Sequence, residues 1–277
     1  MSSNLGSGNP LAPLSIGNVV SAGLRLYRSH LKTYLQLALT AYLWVLVPIY
    51  GWAKFAAISG LISRLAFGEL ISQPESVKTA RSQINPLLWS FLRVTFQVGI
   101  SLVLIYIGLA ILGGILTGIL ALILGVILGT AGVGIGTALG VILILGILLI
   151  GLTWFYSRWL IAEVPLAVEE GVNGGESVAR SWELTKGAVF RIQGIVLVAF
   201  VVTFPIVFLF SYLPQIFLLR AEQGSTTYWI IYFISFLTSL VGGIFVMPFW
   251  QSIKAVLYYD LRSRREGFGL HLRDRNS

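Results

Sequence analysis

The sequence predicts an all-α protein: a polytopic transmembrane helix bundle of about six spans, with amphipathic interfacial helices beside it. Three observations carry this reading. Of 277 residues, 56% are hydrophobic and only 11% are charged, where a soluble chain carries about 25% charged residues. Residues 94–157 contain no Lys, Arg, Asp, Glu or His. Since roughly 20 apolar residues cross a bilayer, this block alone holds two or three crossings. The basic residues, in a chain of net charge +8, gather at the ends of apolar segments, where orientation signals and headgroup contacts fall. That distribution argues against a nucleic-acid surface, which needs a basic patch or stripe. The chain has no cysteine, which removes disulfides, thiolate zinc sites and cysteine nucleophiles.

In chain order, residues 1–13 (MSSNLGSGNPLAP) lack Lys and Arg and read as a flexible tail rather than a signal peptide. Residues 14–32 place Ile16, Val20, Gly23, Tyr27 and Leu31 on one helical face and Arg25, Arg28 and Lys32 on another. Such a helix suits a membrane interface, basic face toward anionic headgroups; a helix packed on the protein's own core fits the same pattern. Residues 33–52 read as the first span, kinked at Pro48, with Tyr42, Trp44, Tyr50 and Trp52 suited to an interface belt. Residues 53–68 stay apolar but include Lys54 and Arg64, and read as a second interfacial helix. Residues 72–86 are a polar connection.

Past Arg93 comes the uncharged block. Gly113 with Gly114, and the run GTAGVGIGTALG over 129–140, are candidate breaks. Yet Gly132, Gly136 and Gly140 are four apart, as are Gly114 and Gly118, and that spacing stacks small residues for close helix packing in lipid. Turn and packing stripe both stand. Trp154, Tyr156 and Arg158 close the block at an interface. Residues 163–187 are the most acidic connection. Gly174 and Gly175 there precede a short helix, with Glu176 near its positive N-terminus, Glu176 and Arg180 spaced as an i,i+4 pair, Trp182 at headgroup depth and Gly187 as a stop.

Residues 189–219, with Pro205 and Pro214, and 228–257, with Gly242, Gly243 and Pro248, hold the last spans. Lys254 is placed to snorkel, and Tyr258 and Tyr259 suit the headgroup layer. Asp260 with Arg264, and Arg262 with Glu266, are i,i+4 pairs ahead of a stop at Gly267. Residues 14–261 thus read as one transmembrane domain and 262–277 as a basic cytoplasmic tail. Basic residues at both ends put both termini in the cytoplasm and require an even number of spans. Six result if the 94–157 block crosses three times. A basic amphipathic helix leading into a proline-containing span occurs twice, over 14–52 and 174–219; with little residue identity between the copies, the general likeness of juxtamembrane helices accounts for this ahead of a degenerate internal duplication.

Signs of chemistry are few. His30 and His271 are the only histidines, and His271 with Asp274 supplies too few ligands for a metal. No nucleophile elbow, phosphate loop or zinc-protease motif is present, so no cofactor is expected. Glu163, Glu169, Glu170, Glu176 and Glu183 cluster in one connection. They read as a solvated loop paired with Arg180 and Lys186, ahead of acid–base chemistry on a lipid.

Two stretches, ESVARSWELTKGAVFRIQGI (176–195) and MPFWQSIKAVLYYDLRSRREGFGLHL (247–272), carry a resemblance. The chain resembles the bacterial membrane-domain family named after glycerophosphoryl diester phosphodiesterases, with its uncharacterised polytopic relatives. The family's Ser-Trp-x-Leu-x-x-Gly element is matched by Ser181, Trp182, Leu184 and Gly187. Its Tyr-Asp-Leu-Arg-x-Arg-x-Glu-Gly tail is matched by Tyr259, Asp260, Leu261, Arg262, Arg264, Glu266 and Gly267. Where the family often has an acidic residue shortly afterwards, this chain has Phe268 and Gly269. In that family the phosphodiesterase activity belongs to a separate soluble barrel, so the resemblance implies a non-enzymatic accessory domain in a bacterial inner membrane. The residues then expected to contact anionic lipid or a membrane-protein partner are Arg25, Arg28, Lys32, Arg180, Ser181, Trp182, Glu183, Gly187, Tyr259, Asp260, Arg262, Arg264 and Glu266. The expected role is lipid contact, scaffolding, assembly or envelope homeostasis. The alternative is a transporter or exporter of a small apolar or amphipathic molecule.

Overall fold

A computed structural model describes residues 14–267, and all regular structure among them is helical. The Ser15 side chain accepts from the Asn18 amide and starts α1 (Ile16–Ser29). The chain turns at His30 into α2 (Leu31–Val45) and again, through residues 46–49, into α3 (Tyr50–Leu70). Pro48 lies in that second turn, where it ends a helix rather than kinking one. At 1.5 Å per residue α2 reaches only about 22 Å, short of a hydrocarbon core of roughly 30 Å. The expected span over 33–52 is therefore a helix, a turn and the start of α3. The turn and the residues beside it expose Leu43, Leu46, Ile49 and Trp52.

α3 corrects a second expectation. Residues 53–68 are not a surface helix: Ala53, Ala56, Ala57, Gly60, Leu61, Ile62, Ser63 and Ala66 are all buried. Small side chains on several faces let α2 and two later helices approach closely. A Cβ on Gly60 would lie 2.3 Å from the Phe91 ring. Arg64 is accommodated because Glu75 accepts from its Nε at 2.6 Å and the Ala167 carbonyl from its Nη1 at 2.8 Å.

Ser76 caps α4 (Val77–Ile84), and a 3-10 turn at Asn85–Leu87 leads into α5 (Leu88–Leu128). α6 (Thr130–Trp159) returns antiparallel to it. The 94–157 block is thus a two-helix hairpin rather than three segments, because Gly113 and Gly114 stay helical and the chain reverses at Gly129, φ +65°. The glycine run does both things expected of it, at different positions. Gly129 turns, while Gly132, Gly136 and Gly140 let α5 in. A Cβ at these three would fall 1.9 Å from the Leu124 carbonyl oxygen, 2.5 Å from Ala121 Cα and 2.5 Å from Thr117 Cγ2. Gly114 and Gly118 face open space, and it is Gly113 that packs, against Ile144.

The connection after α6 folds into α7 (Glu163–Val168) and α8 (Gly174–Thr185). α9 (Val189–Val207) contains Pro205 and widens into a π turn at Phe208–Tyr212 before α10 (Leu213–Leu218). The missing Pro205 amide frees part of the helical ladder, and a π turn commonly absorbs such a defect. α11 (Thr226–Glu266) has 41 residues and ends at Gly267 in the left-handed region, as the sequence predicts. Residues 262–266 belong to this helix.

Among the described residues four helical segments are long and apolar enough to cross a membrane: Val77–Leu128, Thr130–Val168, Val189–Leu218 and Thr226–Glu266. The expected six are not reached. Within them the uncharged runs 130–157, 192–218 and 226–253 are each about 40–42 Å long, the thickness of a bilayer with its headgroup layers. These parts are bare: Leu122, Val126, Ile142, Leu149, Val201 and Phe233 are among many exposed large apolar side chains. The buried core lies elsewhere. It joins α1, α2, α3, the first turns of α5, α7, α8, the first half of α9 and the last third of α11.

Candidate functional site

The end of α11 organises this core through two helical faces. Lys254, Tyr258, Arg262 and Glu266 recur every four residues and so share a stripe. Lys254 donates to Glu163 at 2.8 Å. The Tyr258 hydroxyl donates to Glu169. Arg262 pairs with Glu266 at 3.0 Å and lies 3.9 Å from Glu169. Arg180 on α8 closes the group by pairing with Glu169 at 3.3 Å, with Glu266, and with Glu183 at 3.8 Å. Burial alone would lower the Arg180 pKa. The neighbouring carboxylates of Glu169 and Glu266 outweigh it and hold the value above that of a free arginine.

Asp260 sits on the other face and is 4% exposed. It accepts from Arg191 at 2.7 Å, from Arg264 at 2.9 Å and from the Leu14 amide at 3.2 Å. Arg191 and Arg264 in turn donate to the Leu14 carbonyl, at 2.6 and 3.1 Å. One carboxylate thus clasps the entry to α1, the start of α9 and the end of α11. Removing one partner from a buried pair of this kind costs about 3–5 kcal/mol, because the survivor keeps its desolvation penalty.

A third arrangement lies where α8 crosses the end of α6. Ser177, Ser181 and Thr185 recur every four residues on α8 and are fully buried. Ser177 donates to the Ala162 carbonyl at 2.6 Å, and Ser181 and Thr185 donate to the Arg158 carbonyl at 2.8 and 3.2 Å. These bonds satisfy carbonyls left open where α6 ends. They also bring Trp182 over the Arg158 guanidinium, 4.2 Å from ring centroid to Cζ, with Trp154 at 5.7 Å. Trp154, Phe155, Trp159 and Trp182 form one ring cluster.

The sequence-predicted residues separate into three sets. Arg25 and Arg28 are exposed, opposite the face of α1 that buries Val19, Val20 and Gly23, and Lys32 is exposed in the first turn of α2, because the helix expected over 14–32 breaks at His30. A second set is paired inside the protein: Arg180, Glu183, Arg262 and Glu266 in the group around Glu169, Asp260 and Arg264 with Arg191 on the other face of α11, and Ser181 and Trp182 against Arg158. Gly187 has φ +75° in the turn after α8, and Tyr259 packs half-buried on the core. Four expectations change. Glu176 does not pair with Arg180; it closes a capping box with Asn173. Lys254 does not reach for headgroups, since Glu163 is nearer. Tyr258 is fully buried rather than interfacial, held by Glu169. The glutamates of 163–187 divide: Glu170, Glu176 and Glu183 are exposed as a solvated loop requires, and Arg180 pairs with Glu169 and Glu183, but Glu163 and Glu169 are also bonded to α11. The Ser177/Ser181/Thr185 stripe was not foreseen, although its four-residue spacing is readable in the sequence.

His30 meets Glu69 at 3.3 Å, whereas His271 and Asp274 lie outside the described residues. Among the described residues no three His, Cys, Asp or Glu side chains group to hold a metal. An open groove of about 340 Å³ between α10 and α11 is lined by Gln215, Tyr228, Tyr232, Ser235 and Ser239, and the buried Ser235 hydroxyl has no partner there. No family model matches this chain, and no curated protein or solved structure is significantly similar to it.

Proposed function

We propose that this chain is a non-enzymatic integral protein of a bacterial inner membrane, with a lipid-contacting role in scaffolding, assembly or envelope homeostasis and with both termini in the cytoplasm. The observation that carries this reading is the split between bare apolar helices and an ionic core whose charges are spent on each other. Glu163 and Glu169, which acid–base chemistry on a lipid would need, are tied to Lys254, Tyr258 and Arg180. The exposed Arg25, Arg28 and Lys32 are available to anionic headgroups, each worth about 1 kcal/mol near such a surface. Four crossings, with the α2–α3 turn dipping its exposed apolar side chains into the bilayer, keep the termini on one side as six would. The resemblance at Ser181–Gly187 and Tyr259–Gly267 supports an accessory membrane domain.

The test is lipid analysis of the full chain extracted in polymer-bounded native discs. Anionic lipid is expected above its bulk share, falling toward bulk when Arg25, Arg28 and Lys32 are all changed to Gln. A bulk-like composition in both proteins would count against the reading. The groove at Ser235 favours a second reading, export of a small amphipathic molecule. Solute flux in proteoliposomes that is lost in Ser235→Ala and Gln215→Leu would put it first.

A further inference from the structure

Among the described residues Arg158 is the one buried cation with no carboxylate partner. It is 3% exposed, and its Nε has no hydrogen-bond partner. None of the ion pairs among the described residues includes it. Among the described residues the charged group that acts on it is another cation, Arg265, which the Lys186 carbonyl holds in place. Stacking on Trp182 and Trp154 returns only part of what a guanidinium loses on leaving water. Every comparable cation in the core behaves differently: Arg64, Arg180, Arg191 and Lys254 each find a carboxylate. The position is equally specific. Arg158 ends the uncharged run of α6, among the tryptophans that favour headgroup depth. Its Nε is covered and unpartnered, while the residue as a whole keeps a narrow exposed edge of 3%. A planar fork beside a second arginine suits a phosphate, which it binds through paired charge-assisted hydrogen bonds.

We propose that Arg158, walled by Trp154 and Trp182 and flanked by Arg265, binds a phosphate group, presented to it as the headgroup of an anionic phospholipid. This rests on the membrane reading above and adds to it a single stoichiometric site, separate from the diffuse contacts of Arg25, Arg28 and Lys32. A lipid phosphate here supplies the missing counter-charge, and the tryptophan rings pack beside its glycerol and upper acyl carbons.

The experiment follows thermal unfolding of the delipidated full chain in neutral detergent, with phosphatidylglycerol, phosphatidylcholine or inorganic phosphate added, and counts bound lipid by native mass spectrometry. Carbonate extraction of the membranes comes first: release of the protein would overturn the membrane reading before any lipid is tested. Wild type is expected to retain one phosphatidylglycerol and to gain stability from it, as a ligand of the folded state must give, and to gain less from phosphatidylcholine. Arg158→Gln is expected to weaken phosphatidylglycerol binding by about tenfold or more, and Arg158→Lys to retain part of it. The exposed Arg265→Gln covers the case in which Arg158→Gln folds poorly, and is expected to weaken binding by a smaller factor of roughly three. If Arg158 serves only to stack on Trp182, its variants lower basal stability while the phosphatidylglycerol gain stays whole in them and in Arg265→Gln, and the proposal fails. If inorganic phosphate reproduces the gain and displaces the lipid at millimolar level, the headgroup assignment is overturned in favour of free phosphate.

Discussion

The hairpin of α5 and α6 and the core around α11 are built from opposite materials for the same task, holding helices together. In the hairpin no charge is available, and contact is made by removing side chains. Gly132, Gly136 and Gly140 let backbone meet backbone, while the large apolar residues point outward. In a bilayer outward apolar residues gain nothing by turning inward, so packing of small residues holds such a pair. In the core the large apolar residues point inward and the charged ones are placed to neutralise one another. The lesson is that hydropathy means different things in the two regions: in the hairpin it reports surface, in the core it reports interior.

The sharpest way to break the core is Asp260→Asn. It removes the charge that Arg191 and Arg264 both pair with and leaves them a neutral amide oxygen beside the Leu14 carbonyl, and a loss of about 3–5 kcal/mol is expected, measured by chemical unfolding in detergent. A loss below about 0.5 kcal/mol would show that the clasp contributes little. The hairpin should break next. Gly136→Val drives a Cβ to 2.5 Å from Ala121 Cα, with an expected cost of about 1–3 kcal/mol. Because the chain has no native cysteine, a cysteine pair at Thr117 and Gly140 can report by crosslinking whether the helices have parted. Glu169→Gln is expected to cost only about 1 kcal/mol, since Arg180 keeps Glu266 and Glu183 and Tyr258 keeps an amide acceptor. The smallest effect belongs to Gly114→Val, which meets open space and should stay within about 0.5 kcal/mol. A large effect there would place an unseen partner helix on that face.

These differences explain what could be read from the sequence. Two of the three pairs expected within one helix were legible, because their spacing is written in the chain: Asp260 with Arg264 and Arg262 with Glu266 form as predicted, while Glu176 is taken by the capping box and leaves Arg180 to other carboxylates. Gly267 stops α11 as predicted, and the basic face of α1 is exposed. Pairs between helices were not legible. Lys254 and Glu163 are 91 positions apart, Tyr258 and Glu169 are 89, and no local pattern links them. Each side chain was therefore assigned to the nearest outside solvent, headgroups for Lys254 and Tyr258, when its partner was inside. Four rather than six candidate spans are present among the described residues for the related reason that an apolar window cannot distinguish lipid from protein as its neighbour. α3 is apolar because it is central, and α5 because it is bare. Gly113 and Gly114 looked like a break because glycine pairs often are one; in a hairpin that needs close contact, Gly113 is worth more as a flat surface.

The unbroken run of α11 has a geometric consequence. Its 41 residues extend for about 61 Å, so its bare first half and its buried last third share one helical phase. Each residue advances that phase by about 100°. A single residue inserted near Thr238 would swing the far end by that angle, carrying Asp260 away from Arg191 and Tyr258 away from Glu169 together. An insertion at the tip near Gly129 has no such reach. The chain thus contains one shaft that gears the far loop to the ionic core, and one hairpin that meets the core at its base and whose tip can change length without moving it.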